Sequence, residues 1–486
     1  MAPITRRRFV RQSAFAATAL GLSIDVLADA GRIAGAGERT VAPVDADSIR
    51  KLAAGMTGQV VTPEAPDYES ARLVFNRAYD RRPALIARCV GAPDVARALE
   101  FAQNRSLLVA VRGGGHNRAG FSMCDGGVVI DMSAMNRVEV DASTNVAHAQ
   151  AGTLTVHLDA ATQRFGLATT SAGCPTVGIA GLTLGGGEGL LMSKYGAACD
   201  NLISAKMVTV DGRHVEASPH SNPDLFWALR GGGGNFGVVT ALEFQLHSVT
   251  DVLAGALVYP PGRIAELLHG FAKFVDAAPD EMNVVGQVVT SETGARFQVM
   301  VCHCGDPRRG HDLLKPLRAF GPLEDNVRVQ SYLVTNATIN PAAPAAHFQT
   351  NVVLPKLSAA AIDAITSATN DAPPSARVFM VPLYGAITRV GVTDTAFSLR
   401  RPGCELDIMG RWVDPADRPR AVEWVKALRD RLRPFARGAY VNQLGESSEA
   451  LVAEAYGPNY ARLAQIKSKY DPTNVLRLNQ NIKPDG

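Results

Sequence analysis

Apolar positions along the chain repeat with two periods, and the switches between them mark out the elements. Ala84 to Val90 reads as a strand, and Asp94 to Asn104 as a helix with Asp94 near its start and Val95, Leu99 and Ala102 on one face. Leu107 to Val111 is an apolar strand that runs straight into Arg112-Gly113-Gly114-Gly115-His116. Val128 to Asp131 is a further short strand, and Leu154 to Phe165 is helical. Ser204 to Val210 and His214 to Glu216 flank Asp211-Gly212, a turn pair that predicts a hairpin. Pro223 to Leu229 reads as a short helix, and Val238 to Leu246 alternates like a half-exposed strand. Past residue 250 the glycine runs stop. Asn283 to Thr290 and Arg296 to Cys302 read as antiparallel strands, with helices over 262–276, 308–320, 358–369 and 417–433.

This pattern divides the chain into a signal over 1–30, a linker and entry segment over 31–67, a first domain over 68–248, a second over 249–435 and a C-terminal stretch over 436–486. In the second domain helices cover a sheet. The final stretch, including Leu478-Asn479-Gln480-Asn481-Ile482, is a poor helix and a poor strand, and is expected to fold back on the first domain. Composition narrows the class without naming it. The chain has 486 residues, 47% apolar and 20% charged, enough to bury a core. Lys and Arg number 49 against 46 Asp and Glu, and aromatic residues are 6%, so neither a basic stripe nor a base-stacking surface points to nucleic acid. Seven cysteines, an odd number spread over a long chain, are not a disulfide framework. Cys302 and Cys304 flank His303, but no second cluster completes a metal site.

At the N-terminus, Thr5-Arg6-Arg7-Arg8-Phe9-Val10-Arg11 resembles the twin-arginine export motif. A short apolar stretch from Ser13 to Val26 and the small residues of Ala28-Asp29-Ala30 follow. The expectation is export by that machinery to the periplasm or beyond, as a folded and cofactor-bearing protein. No stretch has the 18 or more apolar residues of a membrane helix, so no stable membrane insertion is expected.

Three glycine clusters carry the candidate chemistry: Gly113–Gly115, Gly185–Gly187 with Gly189, and Gly231–Gly234 with Gly237. Glycine lets the backbone approach a ligand without a Cβ in the way, and successive N–H groups in such loops form anion-binding concavities. None fits the dinucleotide fingerprint or the P-loop, so neither a Rossmann fold nor a P-loop fold is expected. His116 closes the first loop, and Cys174 sits in Gly173-Cys174-Pro175-Thr176-Val177-Gly178 just before the second.

At these residues the chain resembles the berberine bridge enzyme-like FAD-linked oxidases of the vanillyl-alcohol oxidase superfamily. The blocks that match are Arg112 to Asn117 through Gly120, Gly173 to Gly178 through Gly181 with Gly185–Gly187, and Tyr195-Gly196 with Asp200-Asn201-Leu202. Asp224 to Trp227 leading into Arg230 to Gly237, Tyr440-Val441-Asn442 and Asn479-Gln480-Asn481 match as well. The resemblance spans about 68–247 and 436–486. It implies an α+β fold, with a two-lobed FAD-binding domain of the PCMH type and a substrate domain whose antiparallel sheet is covered by helices. It also implies FAD joined to His116 at its 8-methyl carbon and to Cys174 at C6. Arg112, Gly113, Gly114, Gly115, Asn117, Gly120, Gly178, Gly181, Gly185, Gly186, Gly187, Asn235, Gly237, Val238, Asn442, Asn479 and Asn481 are the expected cofactor contacts.

The implied reaction is hydride transfer from an alcohol carbon to flavin N5, with O2 reduced to hydrogen peroxide. The alcohol would belong to a sugar, an oligosaccharide or a bulky secondary metabolite. An amine or alkaloid oxidase, or a dehydrogenase with another electron acceptor, is the alternative. Tyr440 is the expected base, which requires its pKa to fall from about 10. Tyr384 is the second candidate, and Asp407 and Glu446 are possible carboxylate helpers. A small Val177 would leave dioxygen room beside the flavin. Glu188, Ser193 and Gln443 depart from residues common in relatives, which bears on the substrate rather than on the cofactor.

Overall fold

The structure, a computed structural model, describes residues 44–339 and 343–485; the export motif lies outside them. Within the stretch expected as a linker and entry segment, residues 44–67 pack against the first domain. Ala46–Gly55 is a helix and Gln59–Val61 is strand β1. Both are tied down by Asp94, at the start of the helix Ala92–Gln103. Its buried carboxylate accepts the backbone N–H groups of Thr57 (2.9 Å), Gly58 (3.0 Å) and Val90 (3.1 Å). An acid at a helix start reads as a simple cap; here it joins two segments of chain, 57–58 and the turn at Val90.

Strand β1 lies antiparallel to β2 (Leu85–Arg88), which runs parallel to β4 (Val128–Asp131); β4 pairs in turn with β3 (Val109–Arg112), giving the order β1-β2-β4-β3. A second, antiparallel sheet follows. It contains β5 (Val138–Asp141), β6 (Val146–Gln150), β8 (Leu202–Val208), β9 (His214–Ala217) and β10 (Val238–Gln245), in the order β5-β6-β10-β8-β9. The predicted turn between β8 and β9 has Gly212 at φ +81°. The short strands β7 (Leu167–Ala168) and β11 (His247–Ser248) pair with each other. One hydrophobic core joins these sheets to the C-terminal stretch, taking in Tyr440, Tyr456, Leu463, Leu476 and Ile482.

The large sheet is antiparallel. It is built from β12 (Asp251–Val258), β13 (Met282–Ser291), β14 (Gly294–His303), β15 (Glu324–Asp325), β16 (Arg328–Ser331), β17 (Ala346–Leu354), β18 (Arg377–Leu383) and β19 (Gly403–Trp412). The order is β15-β12-β14-β13-β18-β19-β17, with β16 also pairing β12. Successive side chains on a strand point to opposite faces. Val284 and Val288, Phe297 and Val299, Val378 and Met380, and Leu406 and Ile408 face a core closed by the helices Ile264–Asp276, Ala359–Thr369 and Arg418–Leu432. Each fully buried Leu, Phe or Val in that layer contributes on the order of 1.5–3 kcal/mol. The intervening residues make a second, polar face: Asn283, Gln349, Arg377, Glu405, Asp407 and Arg411. Much of that face is also buried, because it lies beside the glycine loops of the first domain.

Among the described residues, no helix is long and apolar enough to cross a membrane.

Candidate functional site

Two of the three glycine clusters converge on one cavity of about 340 Å³. Its wall takes Gly113–Asn117 after β3, Ala172–Cys174 and Val177–Leu182 around the helix Ile179–Leu184, Gly233 and Gly234 before β10, and Leu476–Gln480 from the C-terminal stretch. Gly114 and Gly178 show why glycine is required. A Cβ on Gly114 would stand 2.3 Å from the Gly178 nitrogen, and one on Gly178 2.4 Å from the Gly114 nitrogen, so the two loops lie back to back. At Gly181 and Gly234, by contrast, a Cβ would project into open space. Among the described residues, no acceptor in the chain meets the backbone N–H of Gly114, Gly115 or His116. The buried amide oxygens of Asn479 and Gln480, on this wall, are also without a partner. A long cavity with open backbone donors and orphaned amide oxygens fits a dinucleotide with polar and ring portions, as FAD has.

His116 and Cys174 meet at one side of this cavity. The Thr176 hydroxyl lies 2.9 Å from His116 Nε2 and 3.7 Å from Cys174 Sγ. Phe75 stacks on the imidazole with centroids 4.0 Å apart. Surrounding protein, and then the charge of Arg118, push the imidazole well below its ordinary pKa, so it is neutral at neutral pH.

Not every expected contact reaches the cavity. Asn117, Gly237, Val238, Asn442 and Asn479 line it, with the residues already named. Arg112, Gly120, Gly185, Gly186, Gly187, Asn235 and Asn481 do not. Arg112 donates to the Ala71 carbonyl. Gly120 packs under the Tyr79 ring and Gly186 under Phe397. A Cβ on Gly185 would sit 2.1 Å from Asn442 Oδ1, so this glycine admits Asn442 to the wall. Asn235 is buried, donating to the carbonyls of Gly232 (2.8 Å) and Gln480 (3.2 Å) and accepting from the Ile482 N–H (3.0 Å).

The two tyrosines read as bases sit in settings that do not activate them. Tyr440 lines the cavity, and its hydroxyl accepts from the Gly187 N–H and Asn442 Nδ2, both at 2.9 Å. Burial, reinforced by Glu188 and Glu405, still drives its pKa well above 10, the opposite of what a base needs. The Tyr384 hydroxyl donates to the Met282 carbonyl and lines neither this cavity nor the next, and burial raises its pKa too. Glu446 is ion-paired with Arg429, also outside both cavities.

A second cavity of about 170 Å³ lies on the polar face of the large sheet, and Arg118, Gly173, Glu188 and Gln443 line both. At this junction three carboxyl groups, Glu188, Glu405 and Asp407, are buried together. Burial raises all three above the ordinary carboxylate range; repulsion from Asp407 and Glu188 adds to it at Glu405, while at Asp407 the charge of Arg118 opposes it ahead of the smaller push from Glu188. Burial pushes Glu405 furthest toward its protonated form, and both of its oxygens, like one oxygen each of Glu188 and Asp407, have no hydrogen-bond partner among the described residues. Gln443 is clamped beside them: its Oε1 accepts from Arg118 Nε (3.1 Å) and Gln349 Nε2 (2.8 Å). Sequence reasoning had named Asp407 as a possible helper and Glu188 and Gln443 as departures. Glu405, Arg118 and Gln349 were missed. The available signal was the alternation Glu405-Leu406-Asp407-Ile408, which a solvent-facing strand shows equally well.

Comparison with known proteins decides what the first cavity is for. A family model for FAD binding domains matches residues 83–218, and one for berberine and berberine-like proteins matches 439–483. The (R)-6-hydroxynicotine oxidase of Paenarthrobacter nicotinovorans is 31% identical over 88% of this chain and 97% of its own length. The chain belongs to the berberine bridge enzyme-like FAD-linked oxidases. An uncharacterized FAD-linked oxidoreductase of Bacillus subtilis is 30% identical over 88% of this chain and 97% of its own. Among solved structures, 6-hydroxy-D-nicotine oxidase from Arthrobacter nicotinovorans superposes with TM-score 0.82 at 29% identity, covering 88% of this chain and 98% of that one. Berberine bridge enzyme shares the fold, with TM-score 0.82 at 19% identity over 91% of this chain and 99% of that one. The protein is an FAD-linked oxidoreductase of PCMH-type fold.

Proposed function

We propose that this family member is an exported oxidase that holds FAD through two covalent links and oxidises an alcohol carbon, with dioxygen reduced to hydrogen peroxide. The observation that carries the reading is the junction of the two cavities. The cofactor cavity opens into the substrate cavity where a buried carboxyl cluster can receive a proton.

FAD, when bound, accepts the hydride leaving the substrate carbon and returns the electrons to dioxygen. The chain's own residues do the rest. The unpartnered Asp407 oxygen takes the hydroxyl proton as the carbonyl forms. Glu405, still protonated, steadies the charge on its neighbours, and Arg118 offsets it. Tyr440 keeps its proton and positions Asn442. Thr176 engages Nε2 of a neutral His116 and so leaves Nδ1 free, which supports a link through that nitrogen; Cys174, beside the same hydroxyl, would supply the second link. Val177 lines the cofactor cavity with a short side chain that leaves dioxygen room. Two links would retain the cofactor in an open site and through export. The twin-arginine motif at Thr5–Arg11 supports export as a folded holoprotein to the periplasm or outside the cell. A cavity of about 170 Å³, with Val285, Phe379 and Met409 on its wall, suits a compact, partly aromatic alcohol better than a sugar chain.

The test is intact mass and in-gel flavin fluorescence of the wild type, H116A, C174A and the double variant H116A/C174A, followed by a peroxide-release screen of aromatic alcohols, oligosaccharides and amines. Flavin kept by both single variants and lost from the double is the expected result, with peroxide from an aromatic alcohol. Flavin lost on simple denaturation of the wild type refutes the links. Turnover only with an artificial electron acceptor makes the protein a dehydrogenase, and peroxide from amines alone moves it to the amine class.

A further inference from the structure

The carboxyl groups at the cavity junction are answered, at the other end of the substrate cavity, by charge of the opposite sign. Arg377 on β18 and Arg411 on β19 both line it. Neither makes an ion pair or side-chain hydrogen bond among the described residues, and Arg377 Nε is fully buried without a partner. Burial lowers the pKa of both, and for Arg377 the only charged neighbour that acts is Arg411, which lowers it further. Asn283 adds a buried amide donor without a partner on the same lining. Two guanidinium groups in one pocket, neither paired with the carboxyls at its other end, are unusual, because an unpaired charge loses hydration without compensation. The fully buried Arg400, by contrast, is paired with Asp200.

The register fixes the spacing. Arg377 stands opposite Met409, and Arg411 stands opposite His347. Asp407, Met409 and Arg411 follow each other on one face of β19, two residues apart. At about 3.3 Å per residue, Arg377 is one row, roughly 7 Å, and Arg411 two rows, roughly 13 Å, from the Asp407 row. Between them the wall is apolar: Phe379, Met409, Val285 and Met300. His347 does not supply the missing anion. Its Nδ1 lies 2.9 Å from the Ala345 carbonyl, and burial keeps the ring neutral.

We propose that the substrate is an organic acid, held by its carboxylate between Arg377 and Arg411 while the carbon to be oxidised lies roughly 7–13 Å away at Asp407. This deepens the oxidase reading and rests on it for the second half only. Planar, bidentate donors suit a carboxylate, and the apolar stretch suits an aromatic ring carried between the two polar ends. The arginines then act as a selector: a neutral analogue leaves them dehydrated and unpaired, so it is rejected.

The experiment is isothermal calorimetry of the holoenzyme with 3-phenylpropionate and with 3-phenylpropanamide, which share a shape and differ in charge. Neither is turned over, so the readout is independent of activity, and failure of the oxidase reading shows separately in the flavin absorption and peroxide assays. A hydrogen bond to a charged group contributes about 1.5–3 kcal/mol, so the acid should bind about 10- to 100-fold tighter than the amide. That preference should vanish in R377M/R411M while weak amide binding persists, and should partly return in R377K/R411K. Equal binding of acid and amide by the wild type, no saturable binding of the acid, or an acid preference that survives in the double Met variant each overturns the proposal. The wild-type comparison decides even where a variant does not fold.

Discussion

Lys467 offers a direct check on how the C-terminal stretch is fastened to the cofactor site. It lies in the helix Tyr460–Tyr470 and, like Asp471 one turn later, has 0% side-chain exposure. Its ammonium donates to Asp471 Oδ2 at 2.6 Å, to the Asn235 carbonyl at 2.8 Å and to the Leu476 carbonyl at 3.0 Å. Asp471 accepts in addition the N–H groups of Val475 (2.8 Å) and Leu476 (2.9 Å). One cation therefore joins the end of a helix, the third glycine loop and the segment that enters the cavity wall. In Lys467→Met the apolar volume is kept, but a buried carboxylate and two carbonyls lose their donor. Removing one partner of a buried pair costs about 3–5 kcal/mol. Unfolding entropy of about 2.1 cal/mol/K per residue over roughly 440 residues turns that into a Tm drop of about 3–5 °C. The assay is thermal unfolding followed by tryptophan fluorescence, with flavin content measured on the same samples. Adding Asp471→Asn removes the stranded charge, so the double variant should lose at least about 1 kcal/mol less than the two single losses together. A K467M shift below about 1 °C, or strictly additive losses, would refute the argument that this pair is closed off from water.

Four further outcomes follow from the site. Asp407→Asn should lower kcat about 10²- to 10⁴-fold with the substrate returned by the peroxide screen, and should abolish the acid limb of the pH–rate profile. In the wild type that limb lies above the ordinary carboxylate range, because burial raises the Asp407 pKa. Glu405→Gln imitates the protonated acid and should stay within about tenfold of wild type; equal losses in both variants would move the base away from Asp407. Gly114→Ala drives a methyl group to 2.3 Å from the Gly178 nitrogen; it should cost about 1–3 kcal/mol and deplete flavin, seen as a lower ratio of visible to ultraviolet absorbance. Asp159, buried against Ser171 and Asn336, has its pKa raised to about 7 by burial. The folded state then holds a proton that the unfolded state has released above pH 4. Stability should fall by up to about 4 kcal/mol between pH 4 and 7, and D159N should flatten the dependence of Tm on pH.

The parts of the site that were legible in the sequence are those made by consecutive residues. The glycine loop before His116 and the Cys174 loop announce themselves, because close backbone approach needs glycine and those glycines are neighbours in the chain. The helix Ala92–Gln103 and the hairpin of β8 and β9 were equally legible from period and turn chemistry. Strands β17, β18 and β19 were not, although they bring His347, Gln349, Arg377, Asp407 and Arg411 to the substrate cavity. Their alternation of apolar with His, Gln, Arg, Glu and Asp is what a sheet with one wet face shows. Whether that face meets water or another domain is decided by packing between elements more than 150 residues apart, and no local pattern records it. The same gap explains Tyr440. The motif gives its place in the cavity wall, but its proton affinity is set first by burial and then by Glu188 and Glu405, which come to it from two other segments.

The polar face of the large sheet gives the site a direction. Along β19 the residues pass from Glu405 and Asp407, beside the cofactor cavity, through Met409 to Arg411 at the far end. Groups of opposite charge this close would normally collapse into ion pairs. They are kept apart by the rigidity of a paired strand, which holds Asp407 opposite Asn351 and Phe379, and Arg411 opposite His347. Inside a low-dielectric cavity such separated charges make a fixed field along the strand, and a substrate that is polar at both ends aligns with it before any bond changes. The proton acceptor then meets the end of the molecule nearest the flavin, because the arginines hold the other end. Reversing the orientation would set the substrate carboxylate against Asp407 and leave both arginines facing a neutral hydroxyl, so one arrangement of charges selects the substrate and orients it.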